Sequence, residues 1–270
     1  MKNLLMRIWS WFCGLITTFL VLFVFGYILW KGSSVLSWSF LFDYPSGTPL
    51  GTAGGIFPAI IGSLYVGGLS ALFAFLCALS VAIYLVFYCQ SYLLKEILRF
   101  IVQCTSGIPS IVLGLFGYSF FLMYAGLPRS VLSASLTLAI MILPFITLRL
   151  EKIFREFPQE IIDSSLALGT SLEYTIFMII LPHRLGEIAS SIALAAAYAM
   201  GAVAPIMYTG TVLYFGHIPD LTDPFMSLPY HLYVLVNEGY SMTMAYGTAF
   251  VLLVLLLSIN ILCRSLQKGN

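Results

Sequence analysis

Charge is scarce in this sequence. Only 9% of its 270 residues are Asp, Glu, Lys or Arg, against about 25% in an ordinary soluble domain. Twelve basic residues against eleven acidic ones leave a net charge of +1. That excludes binding to a nucleic-acid backbone, which needs a surplus of cations to neutralise phosphates. It also excludes a disordered chain, because disorder requires low hydrophobicity together with high charge. Hydrophobic residues make up 60% of the sequence, and a water-facing surface cannot be built from what remains. The solvent that matches this composition is lipid.

Reactive chemistry is equally sparse. The five cysteines, Cys13, Cys77, Cys89, Cys104 and Cys263, are scattered and contain no Cys-x-x-Cys pair. They read as small buried hydrophobes, with neither a disulfide framework nor a metal site. No Gly-x4-Gly-Lys-Ser/Thr loop is present to cradle ATP phosphates, and Gly51-Thr52-Ala53-Gly54-Gly55 lacks the lysine. There is no His-Glu-x-x-His and no Gly-x-Ser-x-Gly elbow. His183 and Glu187 stand four apart and could share a helix face as an ion pair. The chain reads as a non-enzyme with no catalytic residue, no metal site and no cofactor of its own. None of the twelve basic or eleven acidic residues falls in the central third of an apolar run, which weighs against a proton-coupled carrier.

Long apolar runs are what the sequence has in abundance. Six reach the roughly 20 residues a crossing needs: Ile8–Trp30, Ile56–Tyr88, Phe100–Tyr124, Ser130–Leu148, Leu185–Leu213 and Thr243–Cys263. The expected fold class is therefore an all-α integral membrane protein with six transmembrane helices. With the N-terminus inside, Lys2, Arg7, Lys95, Arg99, Arg149, Lys152, Arg155, Arg184, Arg264 and Lys268 are cytoplasmic, and only Lys31 and Arg129 are outside. That asymmetry places both termini in the cytoplasm. The first run is too long for a signal peptide, and Lys31 follows it where a cleavage site would be needed. It reads as a retained anchor.

The segment between the fourth and fifth runs, about 149–184, is too long for a mere connector. Pro158 can open a helix that carries Glu160 and Asp163 in its first turns. Gly169 then suits a C-cap, and a second helix can run from about Ser171 to Pro182. Within it stand Asp163-Ser164-Ser165, then Gly169, then Ile179 and Leu181-Pro182. Acidic-small-small, three residues, glycine, nine residues, Ile-x-Leu-Pro is the signature of ABC importer permeases, and this segment resembles it at every spacing. Aspartate-serine-serine replaces the family's usual glutamate-alanine-alanine.

Gly54-Gly55-Ile56-Phe57-Pro58, Gly107-Ile108-Pro109-Ser110 and Ala204-Pro205-Ile206-Met207-Tyr208-Thr209 narrow the likeness. They resemble the A-type permease of the phosphate (Pst) branch, from about Gly51 to the last span. The resemblance implies a type I ABC permease fold divided into an anchor with its outer loop (1–50), a permease core (51–264) and a short tail (265–270). It implies a coupling loop, with Asp163, Ser164, Ser165, Gly169, Ile179, Leu181 and Pro182, that docks on an ATPase. The implied partners are two cytoplasmic ATPase subunits holding ATP and Mg, a second permease subunit (paralogue or second copy), and an extracytoplasmic substrate-binding protein. The location is the bacterial inner membrane, and the implied cargo is inorganic phosphate. One departure bears on cargo: Tyr198 and Ala202 stand where the family usually has arginine and glutamate. Another oxyanion or small solute therefore stays open, as does a carrier or channel without an ATPase.

Two stripes of small residues, Ala59-Ser63-Gly67-Ala71 and Ala189-Ala193-Ala197-Gly201, allow close helix approach, either as static packing or as a sliding subunit face. Pro109, Pro144 and Pro205 each remove a backbone donor from a span. The hydroxyl-rich stretch around Pro109 is either an ordinary kink or a route for an oxyanion met by partial charges. Ser106, Pro109, Ser110, Tyr198, Tyr208 and Thr209 are the candidate pathway residues. The outer loop Phe215–Tyr240 carries Pro219, Pro224, Pro229, Asp220 and Asp223 and reads as a polar, proline-braced lid.

Overall fold

The computed structural model describes residues 2–48, 51–214 and 217–268; the start of the outer loop at Phe215 and the last two tail residues lie outside them. The chain is helical almost throughout. In order come α1 (Lys2–Ser33), α2 (Trp38–Phe42), α3 (Phe57–Ile83), α4 (Tyr92–Ser106), α5 (Ser110–Gly117), α6 (Val131–Arg155) and α7 (Gln159–Ala167). They are followed by α8 (Leu172–Tyr174), α9 (Leu181–His183), α10 (Leu185–Met200), α11 (Ala204–Thr209), α12 (Leu228–Asn237) and α13 (Met242–Lys268). Wider π turns extend α3 through Tyr84–Tyr88, extend α5 through Tyr118–Tyr124, and join α8 to α9 through Thr175–Ile180. Two short strands, β1 (Pro45–Ser46) and β2 (Ala53–Gly54), pair antiparallel at the outer face.

Four of the six expected spans are single helices, at Met6–Ser33, Phe57–Tyr88, Val131–Arg155 and Met242–Cys263. The other two are bent. The run expected as one span over Phe100–Tyr124 is broken: Tyr92–Ser106 and Ser110–Tyr124 meet at 96°. Pro109 has no N–H to offer and biases the residue before it out of the helical region, so the helix ends at Ser106 and restarts at Ser110. The fifth span differs too. Leu172–His183 and Leu185–Met200 meet at 72°, and α10 stops at Met200, with only the short α11 beyond it.

The core lies between α3 and α6. Ala74, Ala78 and Ala82 on α3 and Leu138, Ile142 and Ile146 on α6 are buried together. Alanines let the two backbones approach closely, which in lipid is how dispersion holds helices together. The first small-residue stripe is used in the same way: Ala59, Ser63, Gly67 and Ala71 are all buried within this chain. Ser63 also accepts the Leu228 N–H at 2.8 Å, so its face is covered by the outer loop. By contrast α1 is nearly bare, leaning on α13 where the Tyr27 and Tyr246 rings meet edge-on at 5.8 Å.

The outer loop is less polar than its sequence suggests. Phe225, Met226 and Leu228 are fully buried, and the loop carbonyls of Asp223 and Leu221 accept the first N–H groups of α6, from Val131 and Leu132, each at 2.9 Å. Those N–H groups lack partners within their own helix, so the loop satisfies them and is pinned in return. At the inner end, Glu151 is buried and bonds Arg99 of α4 at 2.6 Å and Arg155 at 2.9 Å. That pairing fastens the amphipathic α4 to α6.

Candidate functional site

The cytoplasmic segment is built as a compact joint. Helix α7 starts after Pro158, which fills its N-cap, with Glu160 in the first turn. Its end is a Schellman motif: Gly169 N–H donates to Leu166 O at 2.9 Å, and Thr170 N–H to Ser165 O at 3.4 Å. Gly169 holds φ = +84°, with nothing within 4 Å of where a Cβ would sit. The requirement there is conformational freedom and not space. Ser171 then caps the next helix by accepting Tyr174 N–H at 3.2 Å.

Each sequence-selected residue of the loop has a definite place. Asp163 is exposed and accepts from Gln159 Nε2 at 2.9 Å. Ser164 donates to Glu160 O at 2.6 Å. Ser165 is buried and forms a hydroxyl knot, 2.7 Å from Thr170 Oγ1 and 2.9 Å from Thr175 Oγ1. Ile179 and Leu181 pack on the core, and Pro182 lies exposed at the bend into α10. Sequence reasoning missed Thr170 and Thr175, whose signal was hydroxyls flanking the turn glycine. It also missed Leu168, which is 85% exposed at the tip of the joint.

Arg184 closes the base of the joint. It donates to Glu156 O at 3.2 Å, lies 5.7 Å over the Phe157 ring and pairs with Glu187. The expected His183–Glu187 pair is therefore not the one formed. His183 ends α9, before the bend that starts α10, and its ring meets Phe157 edge-on at 5.8 Å.

The second feature is a cleft of ≈ 840 Å³ where both broken helices meet. Ser110, Met141, Phe145, Tyr198, Gly201 and Asn260 are among its lining residues, and none of the lining side chains is charged. The middle of α5 packs closely against the start of α11 at the edge of the cleft, because a Cβ on Gly114 would fall 2.6 Å from Ala204 O. Of the pathway residues chosen from sequence, Ser110 and Tyr198 line the cleft. Pro109 caps α5 beside them. Ser106 is exposed and bonded to Gln103 O at 2.6 Å, and Tyr208 is half-buried away from the lining. Thr209 is buried, with its hydroxyl donating to Pro205 O at 2.9 Å and its carbonyl accepting Ser130 N–H at 3.1 Å. Asn260, on α13, was missed; it is the single amide side chain of the last span, which was the available clue.

Comparison with known proteins agrees with this architecture. The phosphate transport system permease protein PstA 1 of Mycobacterium tuberculosis is 30% identical over 211 residues, covering 77% of this chain and 69% of that one. A solved structure of the MetNI methionine ABC transporter, inward facing, superposes with a TM-score of 0.64 at 19% identity over 78% of this chain and 94% of that one. A bacterial ABC transporter that imports the acidic polysaccharide alginate aligns over 97% of this chain and 96% of that one, with a TM-score of 0.59 at 15% identity. These two likenesses establish the fold. Residues 78–269 match the model of the binding-protein-dependent transport system inner membrane component, and the chain belongs to that family of ABC importer permeases.

Proposed function

We propose that this chain forms one half of an inner-membrane channel that imports inorganic phosphate, driven by ATPase subunits that are separate polypeptides. The cytoplasmic joint carries the reading. Its two helices, locked by the Ser165–Thr170–Thr175 knot and closed by Arg184, lead directly into α6 on one side and α10 on the other. Those two helices wall the cleft. A push on α7 is thereby delivered to both walls at once, and a rigid joint is what such transmission needs. ATP and Mg would be held by the partner ATPases, with a second permease completing the channel and a binding protein delivering cargo from outside. The phosphate assignment is supported by the permease relative named above.

A neutral solute is the second reading, favoured by the uncharged lining of the cleft. Purification from native membranes in mild detergent, with mass spectrometry of the companions, tests the assembly. An ATPase and a second permease are expected; recovery of this chain alone after cross-linking would refute it. Uptake of radiolabelled phosphate by the reconstituted complex tests the cargo.

A further inference from the structure

Beyond Phe145, α6 and α10 carry a second hollow. It is smaller, ≈ 240 Å³, and lies on the cytoplasmic side of the cleft, lined by Arg149, Lys152, Glu156, Glu187 and Ser191 among others. The two hollows share one helical register. On α6, Met141 and Phe145 line the larger, and Arg149 follows one turn later in the smaller. On α10, Tyr198 and Leu194 line the larger, and Ser191 and Glu187 continue the same face into the smaller. The two hollows follow one another along the same faces of α6 and α10. The link between them is physical as well: the Arg149 guanidinium lies 5.2 Å over the ring of Phe145, at the lip of the larger chamber.

The charges of the inner chamber are already matched, with one exception. Lys152 stands 3.7 Å from Glu156, and Glu187 is paired with Arg184. Arg149 has no carboxylate partner among the described residues. A guanidinium resting one face on an aromatic ring keeps its in-plane N–H fork free, and that fork fits two oxygens of a tetrahedral oxyanion.

We infer that Arg149 is the cation that receives the translocated oxyanion at the inner mouth of the neutral cleft. The inference rests on the phosphate-importer reading above. Its position also suits release. A cation in the cleft itself would hold the anion away from water, whereas one at an exposed cytoplasmic lip binds weakly enough to let it leave.

The test is made in the assembled complex. Arg149→Gln should lower maximal phosphate uptake, and the phosphate-stimulated part of ATP hydrolysis with it, about tenfold, the loss of one charged hydrogen-bonding partner. Arg149→Lys should restore most of the rate. Uptake by the Gln variant equal to wild type would overturn the role of Arg149, as would a Lys variant no better than Gln, which points to packing, or a fall in uptake with ATP hydrolysis undiminished, which points to coupling. Because a phospholipid headgroup presents the same phosphate chemistry, direct binding of inorganic phosphate is measured in maltoside detergent without phospholipid. Binding that Arg149→Gln abolishes assigns the site to cargo, and binding only of added phospholipid refutes that assignment. A wild-type complex that imports no phosphate at all would instead refute the cargo reading on which this one stands.

Discussion

Arg184 and Glu156 lie 28 residues apart in sequence, yet the Arg184 guanidinium donates to the Glu156 carbonyl at 3.2 Å and so closes the cytoplasmic loop into a ring. The same guanidinium sits over Phe157 and pairs with Glu187. One side chain thus ties the end of α6 to the start of α10, the two walls of the cleft.

Replacing Arg184 by Ala should therefore open the base of the joint. Proteolytic cleavage between Phe157 and Arg184 is expected to accelerate at least several-fold, and uptake to fall while basal ATP hydrolysis persists. Arg184→Lys should rescue poorly, because a lysine cannot make the planar, forked set of contacts. Limited proteolysis with uptake measured in parallel checks both outcomes.

At Gly169 the φ of +84°, together with the open space where a Cβ would sit, separates two causes. Gly169→Asn should keep near-wild-type uptake, since Asn tolerates the left-handed region. Gly169→Val should cost about 1–2 kcal/mol of turn stability and uncouple uptake from ATP hydrolysis, with the protein still inserted. Equal uptake by both variants would show that the turn does not transmit force.

Ser165 is buried and shares its hydroxyl with two threonines. Ser165→Val should lower the melting temperature of the complex and loosen the joint, with a cost of about 1 kcal/mol for the lost hydroxyl bonds, since Thr170 and Thr175 keep the Ser165 and Ser171 carbonyls as acceptors. Ser164→Ala, which removes only an exposed bond to Glu160 O, should change little. Thermal melts of the two variants side by side check the contrast.

His231, on α12 within the outer loop, is buried, with Nδ1 3.2 Å from Thr248 Oγ1. Burial pushes its pKa down to about 4, below the ordinary value near 6.5. The unfolded chain therefore binds the proton more readily than the folded one. The stability that neutral His231 provides is complete above pH about 6.5 and falls by about 1.4 kcal/mol per unit as pH drops toward 4. His231→Gln should flatten that slope; hydrogen exchange of α12 between pH 7 and 4.5 measures it.

Much of the architecture was legible because lipid imposes a simple demand. Backbone groups must be satisfied within helices, so apolar runs of sufficient length declare themselves, and arginines and lysines report which ends face inward. The joint was legible for a local reason: Pro158, Gly169 and Ser171 act on their immediate neighbours, and all three stand at the helix ends where their side-chain chemistry puts them. The breaks were only half visible. Pro109 announced an interruption, but the 96° turn depends on α5 packing against α11 through Gly114, a contact between segments about 90 residues apart.

Composition and periodicity by themselves determined a membrane-embedded helical chain, its orientation and a helix–turn–helix on its cytoplasmic side, because each follows from the solvent or from interactions a few residues long. Only tertiary structure decided that Ser110, Tyr198 and Asn260 share one cleft while Thr209 is buried behind it, and that Arg184, and not His183, meets Glu187. It likewise decided that Arg149 rests on Phe145 at the cleft's inner lip, with no carboxylate partner among the described residues. These are relations between faces of different helices, and rotation of a helix by one residue, about 100°, would undo each of them without altering a single apolar run.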